Sequence, residues 1–465
     1  MTEPRQTIVI TGAAGFLGAA LAKALGKTFR LIGLDLSEPK ETTAEMLFIK
    51  ADFASDESVS AAWREAHKRA NGKIAAVIHL AAYYDLTGEP NPKYEQVTVE
   101  GTRRLLHALR QSEVERFVFS STMLVHAPCE PGEKIDENWP IGPRWPYPES
   151  KAETERVILE ERGNTSVAIL RFAGVYDEQC RAAFLSQQIM RIYERLPTGI
   201  LFAGDPSHGQ PYLHLADMVD AVLRVVDRRR ELPADTVLLL GETETPSYRE
   251  LQTRLGLLIH GVEWTTLALP KTIASAGAWV QDEVLREDMF IKPWMIEIAD
   301  DHYELDIHRA QHLLGWTPRY RLLDTLPAMI TLLKADPTDW YAINKLEPAT
   351  VAASEPELLQ AKQRLAQRPA EAVSRAEAKI AAATKRTLWA SLTNIALGAW
   401  LIASPFAYGL LDADVQAAPP PAAGMELPAA GVRDAMLAYS EVLSGAALIL
   451  LAAFALRPRG AWIRW

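Results

Sequence analysis

The stretch Thr7-Ile8-Val9-Ile10-Thr11-Gly12-Ala13-Ala14-Gly15-Phe16-Leu17-Gly18 constrains the fold more than any other part of the chain. Its β-branched apolar start reads as a strand buried on both faces, and therefore as part of a parallel sheet. Leu17 to Leu25 then reads as a helix. A strand, a tight glycine turn and a helix N-terminus together make an anion site, because backbone N–H groups and the helix dipole converge there. The glycines are spaced GxxGxxG, not the GxGxxG of the commoner dinucleotide fingerprint.

Three more signals follow in order. Asp35 ends the next strand, Arg30-Leu31-Ile32-Gly33-Leu34. It falls near the spacing of about 20 residues expected of an acid that bonds the ribose hydroxyls of an adenosine. Its charge disfavours a 2′-phosphate and no Arg follows it, so NAD is expected over NADP. Ser120-Ser121-Thr122 comes directly after the strand Arg116-Phe117-Val118-Phe119, and a hydroxyl at the carboxyl end of a parallel strand opens into the ligand crevice. Tyr147-Pro148-Glu149-Ser150-Lys151 places a phenol and an ammonium one turn apart on one helix face. There the ammonium is expected to lower the phenol's pKa, so that Tyr147 exchanges a proton with a substrate hydroxyl or carbonyl near neutral pH. Singly these signals have bland readings: a glycine turn without a ligand, a loop Asp, a surface Tyr beside a solvated Lys. Their order in one chain gives them weight.

The series TGAAGFLG, Asp35, Asp52-Phe53, His79-Leu80-Ala81-Ala82, Ser120-Ser121-Thr122, Tyr147/Lys151 and Leu170-Arg171-Phe172 resembles the extended short-chain dehydrogenase/reductase family, also called NAD-dependent epimerase/dehydratase. The similarity runs from about Thr7 to about Leu333, with Tyr212-Leu213-His214-Leu215-Ala216-Asp217 and Leu314-Gly315-Trp316-Thr317-Pro318 as late markers. The resemblance implies an α/β fold, a Rossmann-type doubly wound parallel sheet with a smaller C-terminal substrate subdomain, and NAD as cofactor. By the same resemblance Gly12, Gly15 and Gly18 shape the pyrophosphate turn, with Phe16 and Leu17 offering backbone N–H groups. Asp35 holds the adenosine ribose, Asp52 and Phe53 border the adenine, and Leu80, Ala81 and Ala82 line the path to the nicotinamide ribose. Phe172 and Ala173 complete the cofactor site. The catalytic set is Thr122, which orients the substrate oxygen, Tyr147 as acid/base, and Lys151, which binds the nicotinamide ribose.

Departures from the family pattern bear on substrate. Members that dehydrate sugar nucleotides carry an acidic pair after the catalytic Thr, and Met123-Leu124 stands there instead. Epimerases of sugar nucleotides usually show an Asn where this chain has Ala173-Gly174, and an Arg where it has Gly209-Gln210-Pro211. Thr98 stands where many members have Asn, and His126-Ala127 where they have Tyr-Gly. A 4,6-dehydratase is not expected, and a diphosphonucleotide substrate is disfavoured.

A chain of 465 residues exceeds one ordinary core. A net charge of -10 and the lack of a basic stripe argue against nucleic acid. Two cysteines, Cys129 and Cys180, make neither a disulfide framework nor a metal spacing, and no metal is expected. Met1 to Gln6 runs straight into the first strand, so no signal peptide is expected.

The composition changes near Lys345. The enzyme domain is expected over 1–345, with its substrate subdomain mainly over 175–335, and an Ala/Glu/Gln/Lys/Arg-rich helical linker over 346–386. Over 387–465 two apolar runs, 387–411 and 435–456, are each long enough for a bilayer core, which needs about 20 apolar residues. Lys385 and Arg386 precede the first, Arg457, Arg459 and Arg464 follow the second, and the loop between carries Asp412, Asp414 and Glu426. That bias puts both ends in the cytoplasm. Leu397 to Phe406 resembles the SPW-repeat membrane module of bacterial proteins, which implies the bacterial inner membrane. A buried helical hairpin in a soluble protein is the bland alternative. The expected partners are a small-molecule substrate, a lipid bilayer and a second copy of the chain.

Two classes of function fit. One is an NAD-dependent oxidoreductase or epimerase at the membrane, acting on a hydroxyl or keto group; missing phosphate-clamp arginines tilt this towards a lipid-like or sterol-like alcohol over a sugar nucleotide. The other is a non-catalytic NAD-binding sensor or scaffold, against which the intact Thr122/Tyr147/Lys151 set argues.

Overall fold

A computed structural model describes residues 5–39, 46–85, 88–272, 274 and 292–346, with Leu397 and Trp400 beyond them. The chain divides into two units, residues 1–193 with 200–346 and residues 194–199 with 347–465, and every site described below belongs to the first. Among the described residues no helix is long and apolar enough to cross a membrane. The expected linker and both expected spans lie outside the described residues, Leu346, Leu397 and Trp400 apart.

The first unit is built on a parallel sheet. Its strands are β1 (Thr7–Thr11), β2 (Arg30–Asp35), β3 (Met46–Lys50), β4 (Lys73–His79), β5 (Glu113–Val114), β6 (Phe117–Thr122) and β7 (Val167–Phe172). After β8 (Gly174–Tyr176), β9 (Leu201–Ala203) and β10 (Tyr212–His214) comes a last member, β11 (Asp235–Leu240). The order is β11-β7-β6-β4-β1-β2-β3, with β5 pairing beside β4. The order reverses between β1 and β4, which puts the ligand crevice outside their carboxyl ends. Register brings Thr11 opposite His79, His79 opposite Phe119 and Thr122 opposite Phe172, so the strand ends named by the sequence share one edge.

Burial on both faces explains why the strands read as continuous apolar runs. One core packs Ile8, Ile10, Val118, Ala168 and Leu170 against α1 (Phe16–Leu25) and α6 (Leu215–Asp227). The other packs Val9, Ile32, Val77, Phe117 and Ile169 against α2 (Asp56–Arg69), α3 (Glu100–Leu109) and α4 (Pro146–Glu161). Beyond the sheet, β8 pairs with β10, and helices span Ala183–Tyr193, Tyr248–His260, His308–Leu314, Leu322–Ala335 and Pro337–Ile343.

The two late sequence markers form one bracket. Asp217, fully buried in the first turn of α6, accepts hydrogen bonds from the N–H groups of Arg319 and Tyr320 at 2.9 Å each. The buried Trp316 indole donates to the Asp217 carbonyl at 3.1 Å, and the Tyr320 ring stacks 4.0 Å from that of His214. This bracket fastens the segment after the 308–314 helix to the β10–α6 corner.

Candidate active site

The glycine turn fits a dinucleotide pyrophosphate by its shape. Gly12 has φ of +69°, and a Cβ there would lie 2.9 Å from the Ala81 nitrogen. A Cβ on Gly18 would lie 2.3 Å from the Gly12 carbonyl oxygen, so the turn and the helix close only without side chains. Gly15 caps α1 with no side chain to occupy its first amides, and the first turn, from Phe16 and Leu17 on, carries no acid. A positive helix end so arranged favours an anion. Asp35 stands at the end of β2, its Oδ2 accepting from the Ala14 N–H at 2.9 Å, which ties this carboxylate to the glycine turn.

The β1 and β4 ends are locked by a chain of hydrogen bonds. The Thr11 hydroxyl donates to His79 Nδ1 at 2.7 Å and accepts from the N–H groups of Leu80 and Ala81 at 3.2 and 3.1 Å. His79 Nε2 then donates to Thr102 at 2.9 Å, and Thr102 donates to the Thr98 carbonyl at 2.6 Å. Fully buried among Phe53, Phe117 and Phe119, His79 is pushed down to about 3 by desolvation, with Lys151 adding to it, and is a neutral structural residue. The chain fixes the backbone from Leu80 towards Ala82. Asp52 follows β3, its Oδ1 accepting from the Ala54 N–H at 2.9 Å. Phe53 is 5% exposed with its ring against His79, so only its backbone is free to border an adenine.

Tyr147 and Lys151 lie on α4, which packs against β6, the strand that ends at Thr122. The Lys151 ammonium donates to the Ser120 carbonyl at 2.7 Å and lies 4.7 Å from the Phe119 ring centroid and 5.9 Å from that of Tyr147. Thr122 Oγ1 accepts from the Leu124 N–H at 3.3 Å, leaving its own proton to donate. Phe172 and Ala173 follow at the end of β7, both buried. One expectation is corrected. The Tyr147 phenol is raised above its ordinary pKa, not lowered, because burial dominates and Tyr84 and Tyr94 reinforce it. Lys151 is itself pushed down to about 7 by burial, partly opposed by Glu155. An ammonium that loses its charge near neutral pH holds a nearby phenol down only weakly.

Two features were not anticipated. Arg171, one place before Phe172, forms a buried bidentate pair with Glu155 of α4, with Nη2 to Oε2 at 2.6 Å and both side chains 7% exposed. Arg171 Nη1 also donates to His126 Nε2 at 2.9 Å, while His126 Nδ1 donates to the Trp139 carbonyl at 2.9 Å and Ser121 donates to Glu155. Burial, with Arg171 beside it, brings His126 down to about 4. The network holds α4, and so Tyr147 and Lys151, against the ends of β6 and β7. The second feature is an aromatic wall. The Tyr84 ring meets Tyr147 edge-on at 4.9 Å, Trp145 lies 5.4 Å from Tyr147, and Trp294 stacks on Trp145 at 4.7 Å. Met123, which follows Thr122, is buried.

Fold and site define a nucleotide-dependent enzyme built on a doubly wound sheet. Residues 8–241 match the model of the NAD dependent epimerase/dehydratase family, and the chain belongs to that family. The mouse protein "3 beta-hydroxysteroid dehydrogenase type 7" is 25% identical over 356 residues, covering 68% of this chain and 92% of its own. The "sterol-4-alpha-carboxylate 3-dehydrogenase, decarboxylating" of Candida albicans is 22% identical, covering 69% of this chain and 96% of its own. Among solved structures, UDP-glucuronic acid 4-epimerase from Bacillus cereus, in complex with UDP-glucuronic acid and NAD, is similar in fold. Its TM-score is 0.55 at 20% identity, covering 71% of this chain and 99% of that one. The protein is an NAD-dependent oxidoreductase or epimerase of the extended short-chain dehydrogenase/reductase type.

Proposed function

We propose that the protein is a membrane-anchored, NAD-dependent dehydrogenase of a sterol-like or lipid-like alcohol, working at the cytoplasmic face of a bacterial inner membrane. The observation that carries the substrate reading is the aromatic cluster beside Tyr147, in which the exposed Tyr84 ring meets Tyr147 and Trp294 stacks on the buried Trp145, an apolar neighbourhood suited to fused rings. The relatives named for hydroxysteroid and sterol substrates support it. The membrane reading rests on the two apolar runs and their flanking charges.

NAD supplies the hydride acceptor at the carbinol carbon. Thr122 donates a hydrogen bond to the substrate oxygen and orients it. Tyr147 acts as its phenolate: having given its own proton to solvent, it takes the hydroxyl proton as the C–H bond is lost as hydride, and a ketone results. Burial raises this phenol, so the oxidation gains as pH rises. Lys151 changes its charge state near neutral pH, and so adjusts how readily Tyr147 gives up that proton to solvent. Arg171 and Glu155 keep these groups in register.

The test is NADH formation together with chromatographic analysis of the products, by the full chain in detergent with NAD and a 3β-hydroxysterol in one arm, and with UDP-glucose or UDP-glucuronate in the other. The proposal expects turnover in the sterol arm alone. Epimerisation or oxidation of the UDP-sugars, with none of the sterol, would replace it with the nucleotide-sugar reading.

A further inference from the structure

A tight hairpin follows β8. The Cys180 N–H donates to the Asp177 carbonyl at 2.9 Å, and the Asp177 N–H returns a bond to Cys180 at 3.2 Å. Cys180 and the next residue, Arg181, have φ of +76° and +46°. Non-glycine residues rarely adopt these values, and two in succession need holding from outside. Asn344 does so: its Oδ1 accepts from the Arg181 N–H at 2.9 Å and its Nδ2 donates to the Gln179 carbonyl at 2.9 Å.

The strained backbone delivers the Arg181 guanidinium over the ring of Phe16, with Cζ 5.0 Å from the centroid. Phe16 is the first residue of α1, so a fixed positive charge stands beside the positive end of a helix that has no acid in its first turn. Arg181 Nη2 donates to Gln179 at 2.7 Å and Nε lies 3.5 Å from Asp177, a weak offset for two positive neighbours. Its Nη1 amine has no hydrogen-bond partner among the described residues. The side chain is 39% exposed, open to a ligand at the helix end. None of the family motifs in this chain includes Arg181.

We propose that Arg181 is a cofactor-binding residue, giving a cation and a forked donor to the dinucleotide's phosphates beside the α1 N-terminus, and that Asn344 is its positioning residue. A guanidinium suits this role because it pairs with phosphate oxygens in a plane while stacking on an aromatic face. This stands on the NAD site alone, and is independent of which alcohol the enzyme takes.

The test is calorimetric titration of the full chain in detergent with two probes, ADP-ribose and adenosine, the second lacking the phosphates. Arg181→Ala and Arg181→Gln should each weaken ADP-ribose about tenfold, the usual worth of a hydrogen bond to a charged group, and leave adenosine unchanged. Arg181→Lys should recover part of that loss. Asn344→Ala should weaken ADP-ribose by a few-fold, again sparing adenosine. Wild-type ADP-ribose binding by Arg181→Gln would overturn the proposal. An equal loss of ADP-ribose and adenosine would overturn it too, because the hairpin would then serve only structure.

Discussion

Lys151 is 2% exposed, and burial brings its ammonium down to about 7 from an ordinary 10.5. Between those pH values the unfolded chain keeps a proton on this side chain that the folded protein gives up. Folding is therefore weakened at the lower end of the interval and gains as pH rises through it. Methionine has similar reach and no charge, so Lys151→Met removes this dependence. Denaturant titrations at pH 7 to 10 should show the variant's stability relative to the unmutated protein at its highest near pH 7 and falling towards pH 10. A difference that stays flat across the range would mean that Lys151 is charged in the folded protein throughout. The glycine turn, Asp35 and the Thr122/Tyr147/Lys151 set could be named from the sequence because the roles proposed for them follow from local spacing. The raised Tyr147 phenol could not, since it depends on burial in the folded chain, reinforced by Tyr84 and Tyr94 arriving from another segment.

At the scale of elements, the join between α4 and the β6–β7 ends rests on the pair Arg171–Glu155. Removing one partner leaves a buried charge without compensation. Arg171→Leu should therefore cost about 3–5 kcal/mol of stability, whereas the double change Arg171→Leu/Glu155→Leu should cost less than the single one. Urea titrations of the three proteins measure this, and additive losses would show that the two side chains are not coupled. The sheet itself could be read from sequence because each central strand is buried on both faces and written in apolar residues. The bracket between Asp217 and the segment Trp316 to Tyr320 appeared there only as two family markers; its purpose lies in contacts across distant parts of the chain. The same is true of the aromatic wall, since Trp145 sits beside Tyr147 in sequence but Trp294 reaches it only through the fold.

For the whole molecule, the first unit ends at Leu346 and carries the glycine turn, the proposed catalytic set and both core faces of the sheet. A domain of about 300 residues can bury an adequate core by itself. A chain ended after Leu346 should therefore be soluble and bind NAD, while the full chain should partition into detergent. In cells, an impermeant thiol reagent applied from outside should label a cysteine placed at Ala422 and miss one placed at Ala383, as the charge bias requires. Labelling at Ala383 would overturn that topology, and an aggregating fragment would favour a helical hairpin packed on the enzyme.

The account turns on Tyr147 moving the proton while the substrate carbon gives up its hydride. The most direct measurement is NADH formation from NAD and a 3β-hydroxysterol by the full chain and by Tyr147→Phe, side by side, with NAD affinity measured on both. Removing the phenol oxygen should slow turnover by about 10²–10⁴-fold, the usual worth of general acid–base catalysis, and leave NAD affinity unchanged. A Tyr147→Phe protein that turns over at the unmutated rate would contradict it.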